Sequence, residues 1–167
     1  MTTEAPSGRA ASTGTALAFA GAVFVLFLDQ GSKAWVRHAL ALHEIREVIP
    51  GFFNLRHVLN DGAAWSILSG ARWPLATVSL VALAALIVFR RDVQGLGRRL
   101  GPWVFALLCG GIAGNFVDRL LTGRVVDFLD FVFGTYHYPT FNVADSAICV
   151  GVFLYALGSL FKGSKSR

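Results

Sequence analysis

Between Gly110 and Ser146 the chain reads GGIAGNFVDRLLTGRVVDFLDFVFGTYHYPTFNVADS. Four aspartates lie in this stretch: Asp118, Asp127, Asp130 and Asp145. Asn115 and Asn142 each precede an aspartate by three positions. Carboxylates beside long apolar runs are costly, because an ionised group loses its solvation when it leaves water. Two readings account for them. In one, a pair of carboxyls shares a proton, so that one serves as base and the other as acid. Such a pair can hydrolyse a peptide bond with water alone. In the other, the aspartates are helix caps and loop residues at a membrane surface.

The elements around them are apolar. Of the 167 residues, 54% are hydrophobic and only 15% charged, where a soluble domain carries about 25% charged residues. The mean hydropathy is +0.58. These values indicate one integral membrane domain. The net charge of +5 does not signal nucleic acid, because the basic residues are not interleaved with aromatics on a soluble face. Cys109 and Cys149 fall inside apolar runs and read as free, buried thiols. No zinc-type spacing of Cys and His occurs, so neither a metal nor any other cofactor is expected.

Residues 1–14 are small and polar and read as a disordered tail. Ala10–Leu28 is 19 residues without a charge, long enough to cross a bilayer. A cleaved signal peptide with a site at Ala18-Phe19-Ala20 competes with this reading, but the apolar run continues to Asp29 and three more runs follow. Asp29 and Lys33 are four apart and can pair on one helix face, or can mark a helix end meeting water. Residues 34–72 mix charges with aromatics. Within them Val48–Ile67 has strand character, and Asn60-Asp61-Gly62 signals a turn between two β-like runs. Trp35, Phe52, Phe53, Trp65 and Trp73 suit a membrane interface, and this element is expected to gate a site. Trp73–Phe89, Leu100–Val117 and Ser146–Phe161 are the remaining uncharged runs. Gly110 and Gly114 give a small-xxx-small spacing for close helix packing.

These features predict an all-α membrane fold. Its four transmembrane helices cover about 13–33, 72–89, 98–118 and 143–161, within one domain at 15–163 followed by a short tail at 164–167. The outer loops are 34–71 and 119–142; the first carries a small extramembrane β element, and a short interfacial helix lies on the same outer side. Arg9, Arg90, Arg91, Arg98, Arg99, Lys162, Lys165 and Arg167 then share one side, eight basic residues against seven. The positive-inside rule makes that side cytoplasmic, with both termini. Asp29, Asp118, Asp127 and Asp145 therefore converge near the outer face. That convergence favours a site over scattered caps.

Five separated motifs now carry a resemblance: Asp29-Gln30-x-Ser32-Lys33, Asn60-x-Gly62-Ala63-Ala64, Gly114-Asn115-x-x-Asp118-Arg119, Gly123-x-Val125-Val126-Asp127-Phe128 and Phe141-Asn142-x-Ala144-Asp145-Ser146. Together, in order, they resemble the lipoprotein signal peptidase (signal peptidase II) family of bacterial inner-membrane aspartyl endopeptidases. The resemblance covers about residues 15–161. It implies removal of the signal peptide from diacylglyceryl-modified prolipoproteins, by a cut just before the lipidated cysteine. It makes Asp127 and Asp145 the catalytic pair. It gives supporting or substrate-binding roles to Asp29, Lys33, Asn60, Gly62, Asn115, Asp118, Arg119, Asn142 and Ala144. It implies a monomer with a β-cradle, in contact with membrane lipid and inhibited by globomycin, whose hydroxyl would sit between the two acids. Asp61 stands where the family usually has Thr, and Trp65 where it usually has Phe. A small transporter or proton relay, and a noncatalytic membrane scaffold, are the alternative readings.

Overall fold

The computed structural model describes residues 7–62, 67–97 and 100–164, the side chains of 7–13 and 162–164 excepted. Residues 1–6 and 165–167 of the expected tails, Ala63, Ala64 and Trp65 of the turn region, and Arg98 and Arg99 of the basic loop lie outside the described residues. The elements are α1 (Ser7–Ala39), β1 (Ile45–Ile49), β2 (Phe53–Asn60), α2 (Arg72–Val88), α3 (Arg90–Gln94), α4 (Leu100–Leu121), β3 (Val125–Phe133), β4 (Tyr136–His137) and α5 (Val143–Ser164).

Among the described residues, three helical segments are long and apolar enough to cross a membrane: Gly14–Ala39, Leu100–Leu121 and Val143–Phe161. The apolar helix Arg72–Val88 is shorter, at 17 residues. Phe24, Val78 and Leu160 are among the outward-facing side chains, at 68%, 65% and 73% exposure. Such rings and branched chains suit lipid and would be costly in water. The chain is thus a membrane protein.

Helix α4 is the central element and packs against α1, α2, α3 and α5. Its glycines permit this. A Cβ on Gly110 would lie 2.6 Å from the Ala22 carbonyl oxygen of α1, and one on Gly111 equally close to that of Ala144 on α5. Gly110 is therefore a packing residue, as the spacing indicates. On α1 the buried residues Ala18, Ala22, Asp29, Lys33 and Val36 recur at helical spacing and form the face turned inward.

The sheet is built differently from the expected local hairpin. Its four strands run in the order β1-β2-β3-β4, with antiparallel neighbours. The β1–β2 turn lies at 50–52, where Gly51 has φ +67°, a conformation glycine adopts without strain. Asn60 ends β2, and the run expected to follow Gly62 lies, save Ile67, outside the described residues. β2 pairs with β3, from the 119–142 segment, Val58 opposite Asp127 and Asn60 opposite Val125. The strand β3 thus lies in a segment that the sequence alone marks as loop. A run as apolar as Val125–Phe133 is strand-like only when a partner covers it, and that partner is far away in sequence.

Three further corrections concern boundaries and exposure. Residues 7–14 belong to α1 and not to a disordered tail, and the helix continues past residue 33 to Ala39. The described residues of 34–71 and 119–142 hold no separate short helix; the short helix found, α3, begins at Arg90 in the basic segment. Cys109 and Cys149 are free, but Cys149 is exposed and Cys109 half-buried. A residue in an apolar run is buried only on the face that meets protein.

Candidate active site

The polar residues gather where α1, α4 and α5 meet the sheet. Lys33 is the anchor. Its ammonium has no exposed surface and lies 2.8 Å from Asp29 Oδ2 and 2.8 Å from Asp118 Oδ2. It also donates to Asn115 Oδ1 at 2.9 Å. Two carboxylates and one amide oxygen thus surround the ammonium. Asp29 and Lys33 therefore pair within a continuing helix and do not end it. The second oxygen of Asp29 accepts from the Ala144 backbone N–H at 2.9 Å, which ties α1 to the first turn of α5. A side chain at Gly114 would run into the Asp29 carboxylate, so glycine there lets α4 approach the pair. Asp118 thus pairs with the lysine.

Asp127 and Asp145 come from β3 and α5. Asn142 precedes the first residue of α5 and forms a reciprocal cap with Asp145. The Asp145 N–H donates to Asn142 Oδ1 at 3.0 Å, and the Asn142 N–H donates to Asp145 Oδ2 at 3.2 Å. This is a capping box with aspartate in place of glutamate. The cap explanation is therefore correct for Asp145 and incomplete. Its other oxygen accepts from Asn115 Nδ2 at 2.7 Å, and Asn142 also reaches across to the other acid. Asn142 Nδ2 donates to Asp127 Oδ1 at 2.7 Å and to Asn115 Oδ1 at 3.2 Å. Asn60 Nδ2 donates to Asp127 Oδ2 at 2.9 Å. Every oxygen of the two acids accepts one N–H bond, and each keeps a lone pair for a further partner.

Asp127 is 3% exposed. Burial, and then the charge of Asp145, push its carboxyl up to about 7, against the pull of Asn60, Asn142 and Lys33. Arg119 stands at the edge of the site and donates to the Gly62 carbonyl oxygen at 3.1 Å. The Gly62 N–H in turn donates to Asn60 Oδ1 at 2.9 Å. A cavity of about 740 Å³ opens here, lined by Asn60, Asn115, Arg119, Asp127 and Asp145 and by the ring-bearing Phe131, Tyr138 and Phe141.

All eleven residues singled out from the sequence meet in this region, Ala144 and Gly62 through their backbone. Asp130 does not. It is buried with Asn54, whose Nδ2 donates to it at 2.9 Å. One participant was missed. Gln30 Nε2 donates to Asp29 Oδ2, to the Gly114 carbonyl oxygen and to Asp118 Oδ1, at 3.1, 3.1 and 3.3 Å. The signal was its place beside Asp29 at the end of a charge-free run. Among the described residues, no group of three or more His, Cys, Asp or Glu side chains converges as metal ligands.

Fold and site together define an integral membrane protein with a buried acid pair at one end of its helices. The fold matches a solved bacterial membrane enzyme determined by the in meso method at 2.3 Å, with a TM-score of 0.80, 36% identity, and coverage of 90% of this chain and 91% of that one. The signal peptidase (SPase) II family model matches residues 21–161. The lipoprotein signal peptidase of Bacillus pumilus is 40% identical over 146 residues, which are 87% of this chain and 94% of the relative. That of Geobacter metallireducens is 44% identical over 135 residues, 79% of this chain and 83% of the relative. The chain belongs to the signal peptidase II family.

Proposed function

We propose that this protein removes the signal peptide from diacylglyceryl-modified prolipoproteins as an aspartyl endopeptidase, with Asp127 and Asp145 as the catalytic pair. The observation that carries this reading is Asn142, which donates to Asp127 through its side chain and to Asp145 through its backbone. It holds two carboxyls to one another where burial and like charge keep a proton on Asp127 near neutrality. One carboxylate then takes a proton from a water as its oxygen attacks the scissile carbonyl carbon. The protonated partner gives its proton to the carbonyl oxygen; the first carboxyl then passes the proton it took from water to the amine nitrogen as the C–N bond breaks, and the partner takes a proton back from a hydroxyl of the tetrahedral intermediate as its carbonyl re-forms. Asn60, Asn115 and Asn142 fix the carboxyl orientations. Lys33, with Asp29, Asp118 and the Ala144 N–H, fixes Asn115 and the start of α5. Arg119 and Gly62 border the peptide path.

The apolar signal segment and the acyl chains stay between helices and lipid, since each buried CH₂ is worth about 0.8 kcal/mol. The cut falls before the lipidated cysteine. The buried polar groups lie at one end of the helices, which supports a peptidase over a proton relay crossing the bilayer. A globomycin-type inhibitor would place its hydroxyl between the two acids. The enzyme acts as a monomer, and the sheet and the segment after Asn60 clamp the peptide.

The test is cleavage of a diacylglyceryl-modified precursor by the purified chain, read by mass spectrometry. The expected product begins at the lipidated cysteine, and a chelator leaves the rate unchanged. No cleavage, or activity lost to the chelator and restored by a divalent ion, would contradict the reading.

The same reading makes α2, at 17 residues, a fourth span and puts the protein in the inner membrane. Both termini are cytoplasmic and the acid pair lies near the outer face. A helix of that length reaches about 25 Å at 1.5 Å per residue, and flanking Arg72 and Arg90 can extend to the interfaces. Reporter fusions after Arg91 and after Arg167 should both read as cytoplasmic. A periplasmic signal at either position would overturn the four-span arrangement.

A further inference from the structure

Arg56 lines the same cavity as the acid pair and takes no part in the network described above. Its position is set by a β-bulge. Leu55 pairs with Leu129 and Val58 with Asp127, so Arg56 and His57 together oppose Phe128. A bulge re-aims side chains. His57 turns inward, where its Nδ1 meets the Leu40 carbonyl oxygen at 3.0 Å, and Arg56 turns to the cavity.

The Arg56 Nε is buried and has no acceptor among the described residues. Its guanidinium forms no ion pair among them either. Phe131, Phe133 and Tyr138 line the cavity with it and offer no carboxylate. The cavity acids are already engaged: Asp127 and Asp145 by asparagines, and Asp61 by Ser69 Oγ at 2.6 Å. The planar fork of a guanidinium matches a carboxylate with two parallel bonds. A cation with a buried, idle donor in a substrate cavity calls for an anionic acceptor from the ligand.

We infer that Arg56 is a specificity-determining residue that binds a carboxylate side chain of the substrate's mature segment, a few residues after the lipidated cysteine. This rests on the peptidase reading above. The location follows from the strand. Asn60 holds Asp127, and Arg56 precedes it by four residues on β2, about 13 Å at 3.3 Å per residue. An extended peptide beside β2 covers that distance in about four residues. Arg56 lies toward the Phe131–Phe133 end of β3, away from the helices. The apolar signal segment stays with the helices, so the peptide near Arg56 is the part that follows the cut.

The test needs no turnover. Peptides that begin at a diacylglyceryl cysteine would carry Glu, Gln or Lys, scanned from the second to the sixth residue, and be bound to the full chain in a neutral detergent. A charge-assisted pair predicts Kd about tenfold lower for Glu than for Lys at one position near the fourth. In Arg56→Gln that ratio falls to near one, and Arg56→Glu reverses it. Equal affinity for Glu and Lys at every position in the unaltered chain overturns the inference, whether or not the variants fold. So does a ratio that Arg56→Gln leaves intact. Binding of a soluble short-chain phosphatidylglycerol that depends on Arg56, with no peptide preference, would assign the guanidinium to a lipid phosphate and also overturn it. Cleavage of the Gln precursor by the unaltered chain is scored separately. Its absence would sink the peptidase reading, while the binding ratio still decides the role of Arg56.

Discussion

Asp127→Asn and Asp145→Asn are each expected to lower the rate of precursor cleavage by about 10³-fold or more while the protein still folds. Proton transfer by a positioned group contributes about 10²–10⁴-fold, and the two acids act as a unit, so loss of either removes both base and acid. The fold should survive for a structural reason. An asparagine keeps the shape, and at Asp127 it removes a carboxyl whose charged form is disfavoured by burial and by Asp145. Its amide oxygen can still accept from Asn60 or Asn142. The assay is turnover of a lipidated precursor, with the thermal midpoint of each variant as control. A variant within roughly tenfold of the parent rate is excluded from the pair, because acid–base catalysis accounts for more than that.

Lys33→Met is expected to give the largest loss of stability of any single substitution in the site. Lys33 and Asp29 have no exposed side-chain surface, and Asp118 only 5%. Removing the ammonium leaves two buried carboxylates facing each other without a cation. Breaking a buried pair in this way costs about 3–5 kcal/mol. It also removes one of the two donors that hold the Asn115 amide oxygen, leaving only Asn142, so the partner of the Asp145 carboxyl is held less firmly. The loss should appear as a lower thermal midpoint in detergent. Adding Asp29→Asn and Asp118→Asn to Lys33→Met should recover much of it, because the uncompensated charges are then gone. A Lys33→Met protein as stable as its parent would mean that the three groups are not a closed ion cluster.

Much of the site was legible because its residues are expensive. Asp29 and Lys33 sit four apart at the end of an apolar run, and Asn115 and Asn142 stand three before an aspartate. Each is a local pattern with a physical cost attached, so each can be found without a fold. The relation between them is not local. Asn142 touches Asp127, Asn115 and Asp145 at once, and Asn60 meets Asp127 only because β2 pairs with β3. The strand β3 was hidden because Val125–Phe133 carries two aspartates in an otherwise continuous apolar run. Asp127 and Asp130 are three apart, which places them on opposite faces of a strand. One joins the cavity and the other meets Asn54. The turn at 50–52 is a weaker hairpin signal than Asn60-Asp61-Gly62, whose composition suits a two-residue turn. In the fold Asn60 and Gly62 serve the site instead: Asn60 donates to Asp127, and Gly62 offers its carbonyl oxygen to Arg119. The bulge that separates Arg56 from His57 leaves no mark in the sequence at all, because it depends on the register with β3.

The central claim is that Asp127 holds a proton beside Asp145 near neutral pH. Infrared difference titration of the carboxyl groups tests it most directly. An ordinary aspartate gives up its proton near pH 4. With the Asp127 carboxyl raised to about 7, a protonated-carboxyl band should persist as pH rises through 5 and 6 and disappear as it passes about 7. The band should be absent from Asp127→Asn. In Asp145→Asn it should disappear at lower pH, because the neighbouring charge that raises it is removed. A band that is gone by about pH 5 in the unaltered protein, or that survives unchanged in Asp127→Asn, would contradict the shared-proton account.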